Sequence, residues 1–284
     1  MASVQAVDAD QRMVSTSAGV FAFDFLILAT GATHSYFGHD AWEAFAPALK
    51  TIEDATAIRS RTLKAFERAE ASDDPEERAR LLTFAIIGGG PTGVELAGAL
   101  AELARRTLPP EFRRSSPGRA RILLLEAGPR LLPTFPKTLS EVARRALTRR
   151  GVEVLTETMV EDVSEGAIVA GGRRIDIGGP ILWAAGVRSS PAGAWLGAPC
   201  DRSGRTRVEP DLTAPGRPNI FVIGDAAAAG PDGGQAPGLA PAAKQMGKYV
   251  AGVIRARLGD KPAPGPFRYR DEGASRRSGA IRRW

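Results

Sequence analysis

Apolar residues along this chain fall into short continuous runs alternating with stretches of helical spacing. Residues 21–29 form an apolar run that suits a buried strand closed by Thr30-Gly31, with shorter strands predicted before it from residue 3. From Asp54 to Ala71 the positions Ile58, Thr62, Ala65, Phe66 and Ala69 share one helical face, and Asp73-Asp74-Pro75 interrupts the pattern. Residues 81–87 read as a second buried strand, followed by a glycine-rich turn and a helix carrying Leu96, Leu100 and Leu103 on one face. Residues 109–118 are too rich in proline and polar side chains for a helix and predict a loop before a strand at 121–125. A helix is expected from Ser140, a good N-cap, to Arg150, with Gly151 closing it and a strand at 152–155 after it. Strands alternating with helices predict a parallel sheet.

Beyond this the pattern changes. Gly171-Gly172 joins two short strands, 167–170 and 173–177, as a hairpin. Residues 181–185 and 220–223 read as buried strands leaving through Gly186 and Gly224. A helix is expected from Leu239-Ala-Pro241 to about Leu258, with a mobile tail after Phe267.

Composition adds limits rather than a fold. The chain of 284 residues is 43% hydrophobic and 25% charged, ordinary for a soluble globular protein of one or two domains. Its single cysteine, Cys200, excludes an internal disulfide or a Cys-x-x-Cys pair and suggests a cytoplasmic setting; Cys200 is expected to serve packing. Only two histidines, His34 and His39, argue against a metal site. No run reaches the ~18 apolar residues of a transmembrane helix. The formal charge of +6 is concentrated in arginines 268, 270, 276, 277, 282 and 283, which argues against a nucleic-acid groove over the body of the fold.

The chemistry centres on Gly88-x-Gly90-x-x-Gly93. After a strand and opening a helix, this spacing gives a tight turn, a close backbone approach and a close helix contact. It aims the helix N-terminus, including Pro91 and Thr92, at a dinucleotide pyrophosphate. Glu126 ends the next strand, where a carboxylate accepts from the ribose 2′-hydroxyl of NADH and repels the 2′-phosphate of NADPH; Arg130 nearby weakens that preference. Glu95 is read as lying in the first helical turn. It either complements the helix dipole or orients a nicotinamide, and the sequence leaves both open.

Residues 82–100, LTFAIIGGGPTGVELAGAL, strongly resemble the NADH-binding domain of type II NADH dehydrogenases, the non-proton-pumping NADH:quinone oxidoreductases. The resemblance continues through Leu28-Ala-Thr-Gly-Ala32, Tyr36-Phe-Gly38, Lys50-Thr-Ile-Glu-Asp54, Leu124-Leu-Glu-Ala-Gly128, Trp183-Ala-Ala-Gly-Val187, Phe221-Val-Ile-Gly-Asp225 and the block 237–247. It implies an α/β flavoprotein of two dinucleotide-binding, Rossmann-like domains, with FAD and NADH as cofactors and a quinone as acceptor. It places Ala185 and Gly186 with the glycine turn on the NADH side. Ala29, Thr30, Gly31, Gly224, Asp225, Ala240, Lys244 and Gln245 fall on the FAD and quinone side, with Glu95, Lys244 and Gln245 at the reaction centre. It also implies a cytoplasmic protein, peripheral on the inner face of the cell membrane, and leaves a homodimer open.

The domains expected are an FAD-domain remnant with a connecting helix at 1–79, an inserted NADH domain at 80–187, further FAD domain at 188–258 and a basic tail at 259–284. Three departures qualify the resemblance: the family's own first GxGxxG, which holds the flavin pyrophosphate, is not seen before residue 21; residues 273–284, GASRRSGAIRRW, stand where the family continues toward an amphipathic membrane-binding region; and Pro241 stands where many members carry a quinone-contacting glutamine. An NADH-binding chain without turnover, or a related reductase with another acceptor, therefore remain alternatives.

Overall fold

Five short strands open the chain: β1 (Val4–Asp8), β2 (Met13–Thr16), β3 (Gly19–Ala22), β4 (Leu26–Leu28) and β5 (Ala32–His34). The computed structural model describes residues 2–229, 236–259, 262 and 264–270. The mobile tail expected after Phe267 lies almost wholly outside the described residues. Two helices follow, α1 (Ile52–Ala71) and α2 (Pro75–Leu81). Thr51 and Asp54 cap α1 reciprocally, each side chain accepting from the other's backbone N–H. The five apolar positions expected to face inward on α1 are its buried residues. Asp74 accepts from Glu76 N and, with Pro75 at the first position, starts α2, so the expected interruption is a boundary between two helices.

The middle of the chain builds the parallel sheet: β6 (Thr83–Ile87), α3 (Pro91–Glu102), β7 (Arg121–Leu125), α4 (Lys137–Arg149) and β8 (Val152–Leu155). The antiparallel strands β9 (Val160–Ser164), β10 (Ala167–Ala170) and β11 (Arg173–Asp176) come next, and then β12 (Ile181–Trp183). Gly171 and Gly172, both at positive φ, turn the hairpin between β10 and β11. The four-stranded sheet has the order β12-β6-β7-β8, all parallel. Every residue of β6 is buried, as expected for a central strand covered on both faces.

Three local expectations are corrected. The helix expected at Ser140 starts three residues earlier, after Pro136; Ser140 is buried inside α4, where its hydroxyl donates to Leu131 O at 2.7 Å. The stretch at 109–118 holds single 3-10 turns at Pro109–Glu111 and Pro117–Arg119, each opened by a proline at a position where its missing N–H costs nothing. Past α3 the backbone loosens into a π-helical turn at Leu103–Thr107.

The closing segment contains β13 (Val187–Ser189), α5 (Ala192–Leu196), β14 (Thr206–Arg207), β15 (Thr213–Ala214), β16 (Arg217–Val222), β17 (Ala227–Ala228) and α6 (Ala240–Leu258). Here β15-β16-β4 form a mixed sheet in which β16 and β4 are parallel. Met246, Val250 and Val253 of α6 are buried in the same core as Ile220, Phe221 and Val222.

The chain divides into two compact units, residues 34–186 and the residues on either side of them. Residues 34–79, assigned from sequence to the flavin side, fall in the first of these. The reason is packing: Ile58, Ala65, Phe66 and Ala69 of α1 share one core with Phe84 and Ile86 of β6 and Ile122 and Leu124 of β7.

Candidate functional site

In the unit 34–186 the site is built at the C-terminal ends of β12, β6 and β7, where an open parallel sheet leaves a crevice as the strand order reverses. Each glycine of the turn after β6 has its own reason. Gly88 has φ +112, and a Cβ there would stand 2.5 Å from the Ala184 and Ala185 backbone. At Gly93 a Cβ would lie 1.8 Å from Gly88 O, so α3 can approach β6 only without a side chain. Gly89, to which sequence reasoning gave no part, sits against Leu131 Cδ2 and the Glu126 side chain. Gly90 differs from these: its Cβ would point into open space, the opening through which a ligand's backbone can come close. Gly90 is also the N-cap of α3 and offers no capping side chain, so the first-turn N–H groups of Thr92 and Gly93 face the opening with the helix dipole behind them.

Glu126 is fixed from both sides. Its Oε2 accepts from Gly89 N at 2.6 Å and its Oε1 from Gly128 N at 2.7 Å. Glu126 lines the cleft, and each oxygen, having accepted one N–H, has capacity for a further donor. Arg130 corrects the sequence reading: its guanidinium donates to Leu132 O, Phe135 O and Pro133 O, at 3.4, 2.8 and 2.5 Å. It is engaged with the loop and is not held out toward a 2′-phosphate.

Of these groups, Gly88 and Glu126 open onto a cleft of about 320 Å³. Gly88, Glu126 and Ala185 line it on the sheet side, Thr158, Met159 and Val160 close one flank, and Tyr36, Phe37, His39, Trp42 and Trp183 form an aromatic wall. Trp183 stacks on Tyr36 with centroids 5.0 Å apart and meets Trp42 edge-on at 5.7 Å; its indole Nε1 donates to Ser35 O at 2.9 Å. Tyr36 donates to Ala46 O, and its burial pushes the phenol up to about 12, so it stays a protonated hydrogen-bond donor. Gly186 is explained by this wall, since a Cβ there would meet the Phe37 ring at 2.5 Å. The aromatic residues were visible in sequence only as an unassigned block at 36–38; their convergence on Trp183 is tertiary. Met159 and Phe37 are 63% and 66% exposed, leaving apolar surface for a ring to cover.

Glu95 does not line this cleft. It is the fifth residue of α3, beyond the first turn, and is exposed, so the expected first-turn placement is corrected. Pro91 and Thr92 are exposed at the helix start.

In the other unit, Ala29-Thr30-Gly31 and Gly224-Asp225 leave the C-terminal ends of the adjacent parallel strands β4 and β16, the edge at which such sheets bind ligands. Thr30 Oγ1 and Ser190 Oγ are hydrogen-bonded at 2.5 Å, and Gly31 and Gly224 adopt positive φ. The first half of α6 packs over Gly224, whose N–H donates to Met246 Sδ at 3.1 Å. Ala240 and Lys244 are exposed on α6. Gln245 is tied down, its amide exchanging two hydrogen bonds with the Arg270 backbone at 2.9 and 3.0 Å. Cys200, expected to pack, is exposed, although its sulfur lies where a Cβ on Gly193 would be. These residues fit one side of a flavin site. A second glycine turn opening a helix, to cradle the flavin's pyrophosphate, is not present among the described residues of this unit. No helix among the described residues is long and apolar enough to cross a membrane.

The chain matches the pyridine nucleotide-disulphide oxidoreductase family over residues 1–247. It is 46% identical over 263 residues to the type II NADH:quinone oxidoreductase Ndh of Mycobacterium tuberculosis, covering 89% of this chain and 56% of that protein. It is 30% identical over 283 residues to a type II NADH:quinone oxidoreductase of Staphylococcus haemolyticus, covering 96% and 67%. Its fold is similar to that of NDH2 from Plasmodium falciparum solved with NADH, with TM-score 0.73, 24% identity and coverage of 80% and 49%. The chain thus spans little more than half the length of the Mycobacterium relative. The α/β fold, the glycine turn with its acid and the match over most of the chain agree: the protein belongs to the pyridine nucleotide-disulphide oxidoreductase family, among its type II NADH:quinone oxidoreductases.

Proposed function

We propose that this chain binds NADH in the cleft of residues 34–186 and serves a non-electrogenic NADH:quinone oxidoreductase of the respiratory chain. The observation that carries the reading is the uncapped N-terminus of α3 beside a carboxylate already fixed by Gly89 and Gly128. The pyrophosphate sits over Gly90 and the first-turn N–H groups. Glu126 accepts from the adenosine ribose hydroxyls and disfavours a 2′-phosphate, a preference that Arg130, spent on three carbonyls, does not offset. The aromatic wall excludes water from the cleft. Ala29-Thr30-Gly31, Gly224-Asp225 and Ala240 hold FAD from one side, with Lys244 and Gln245 toward the quinone and Glu95 orienting the nicotinamide. Bound flavin supplies the hydride acceptor and the two-electron route to quinone. The chain works at the cytoplasmic face of the cell membrane, in peripheral contact, as a homodimer.

Calorimetry with NADH and NADPH tests the binding half: tight NADH binding with NADPH at least tenfold weaker is expected, and equal affinities would remove Glu126 from its role. A second reading, NADH binding without turnover, draws on the one-sided flavin site. A flavin absorbance spectrum and menadione reduction by NADH, with and without added FAD, separate the two. Reduction of ferredoxin in preference to menadione would replace the quinone.

A further inference from the structure

Away from the dinucleotide cleft, the π-helical turn at Leu103–Thr107 carries Arg105 and Arg106 to the end of α4, where Arg149 and Arg150 stand. All four line one cleft of about 170 Å³, together with Ala101 and Glu102. π-Helical turns inside helices are rare and recur at functional sites. Arg105 is the unusual member. Its Nη2 donates to Ala120 O at 3.2 Å and Gly151 O at 3.0 Å, yet its Nη1 is buried and meets no acceptor. Gly151 adopts φ +77, which favours glycine, and it lies directly against that guanidinium. No salt bridge pairs Arg105, Arg106, Arg149 or Arg150 with a carboxylate among the described residues, Glu102 included. Burial holds the Arg105 guanidinium below its ordinary value, the direction expected for a cation without a counter-charge. The carbonyls that precede β7 and β8 account for Arg105 Nη2, and a helix C-terminal carbonyl accounts for Arg150, whose Nη1 donates to Ala146 O at 3.2 Å. They leave Arg105 Nη1, Arg106 and Arg149 without an explanation.

We propose that this cleft is a site for a phosphoryl group, separate from the glycine turn, with Arg106 and Arg149 closing over the anion from the rim and the half-buried Arg105 adding its charge behind them. Guanidinium forks match phosphate oxygens in pairs, and the exposed forks of Arg106 and Arg149 have no carboxylate to hold them. The cleft is smaller than the ~300 Å³ at which drug-sized ligand sites begin, so it takes inorganic phosphate or pyrophosphate, or the phosphate end of a lipid headgroup, and not a whole dinucleotide.

The test compares the full chain with the double variant Arg106→Ser/Arg149→Ser, both positions exposed so that folding is not at stake. Thermal unfolding is followed with pyrophosphate against potassium chloride at matched ionic strength, and flotation with vesicles containing phosphatidic acid. Pyrophosphate also meets the glycine turn, so the readout is the difference between the two proteins. A rise in Tm about 3 °C larger in the parent chain at ten times Kd supports the site with a soluble occupant. No pyrophosphate difference, but flotation lost in the variant, supports it with a headgroup occupant. Equal responses of the two proteins in both arms would overturn the proposal.

Discussion

Gly90 and Gly93 look alike in the sequence and differ in the structure, and the difference separates binding from folding. A Cβ on Gly90 meets nothing within 4 Å, and its φ of −72° suits any residue, so Gly90→Ala should leave stability nearly unchanged. It narrows the approach to the α3 N-terminus, and NADH affinity should fall at least ~10-fold, about 1.4 kcal/mol, by calorimetry. Gly93→Ala drives a methyl into Gly88 O, and should cost ~2 kcal/mol or more in chemical denaturation before any ligand is added. A G90A protein with undiminished NADH affinity would place the pyrophosphate elsewhere. The GxGxxG spacing made the three positions legible, but not their division of labour, nor Gly89, whose need for space comes from Leu131 and Glu126, distant in sequence. Arg130 was misread for a related reason: sequence shows a charge near the site, but not that three carbonyls already hold it.

At the scale of elements, β7, β8 and β10 were readable to their ends, whereas the buried strand expected at 21–29 is divided between the exposed end of β3 and the short β4. The inward stripe of α1 is set by period alone, whereas the start of α4 depends on Leu131 O, which draws Ser140 inward from the cap position expected of it. Phe66 on that stripe is fully buried with its ring 5.1 Å from that of Phe84. Phe66→Ala should therefore cost about 3–5 kcal/mol in urea unfolding; a cost under ~1 kcal/mol would show α1 to be loosely attached. The proline-rich connection is held differently. Glu70 at the end of α1 accepts from the N–H groups of Arg113, Arg114 and Ser115, which lowers its carboxyl from 4.5 to about 2. A depressed pKa gives stability that is complete above 4.5 and lost as pH falls toward 2. The difference in urea midpoint between the parent chain and Glu70→Gln should shrink from pH 7 to pH 3, and a constant difference would deny the charge its part. Nothing in the local sequence of 109–118 announces this anchor.

For the whole molecule, the division into units carries a consequence for ligand linkage. Every residue lining the aromatic cleft, from Tyr36 to Ala185, belongs to the unit 34–186, and the residues proposed to touch the flavin, at 29–31, 224–225, 240 and 244–245, lie outside it. A ligand stabilises the part of a protein that it binds, by about 2.7 kcal/mol at a hundred times Kd, and slows amide exchange through openings that destroy its site. Saturating NADH should then slow exchange in the backbone at 87–93, 125–128, 158–160 and 183–186, and leave 26–31 and 222–226 at their unliganded rates. FAD should do the reverse, slowing 26–31 and 222–226. The two ligands therefore report separately on the two halves of the reading. Protection by NADH at 222–226 with none at 88–93 would reverse the assignment of the sites. Protection by NADH as expected, with none by FAD at any concentration, would select NADH binding without turnover over the flavoenzyme.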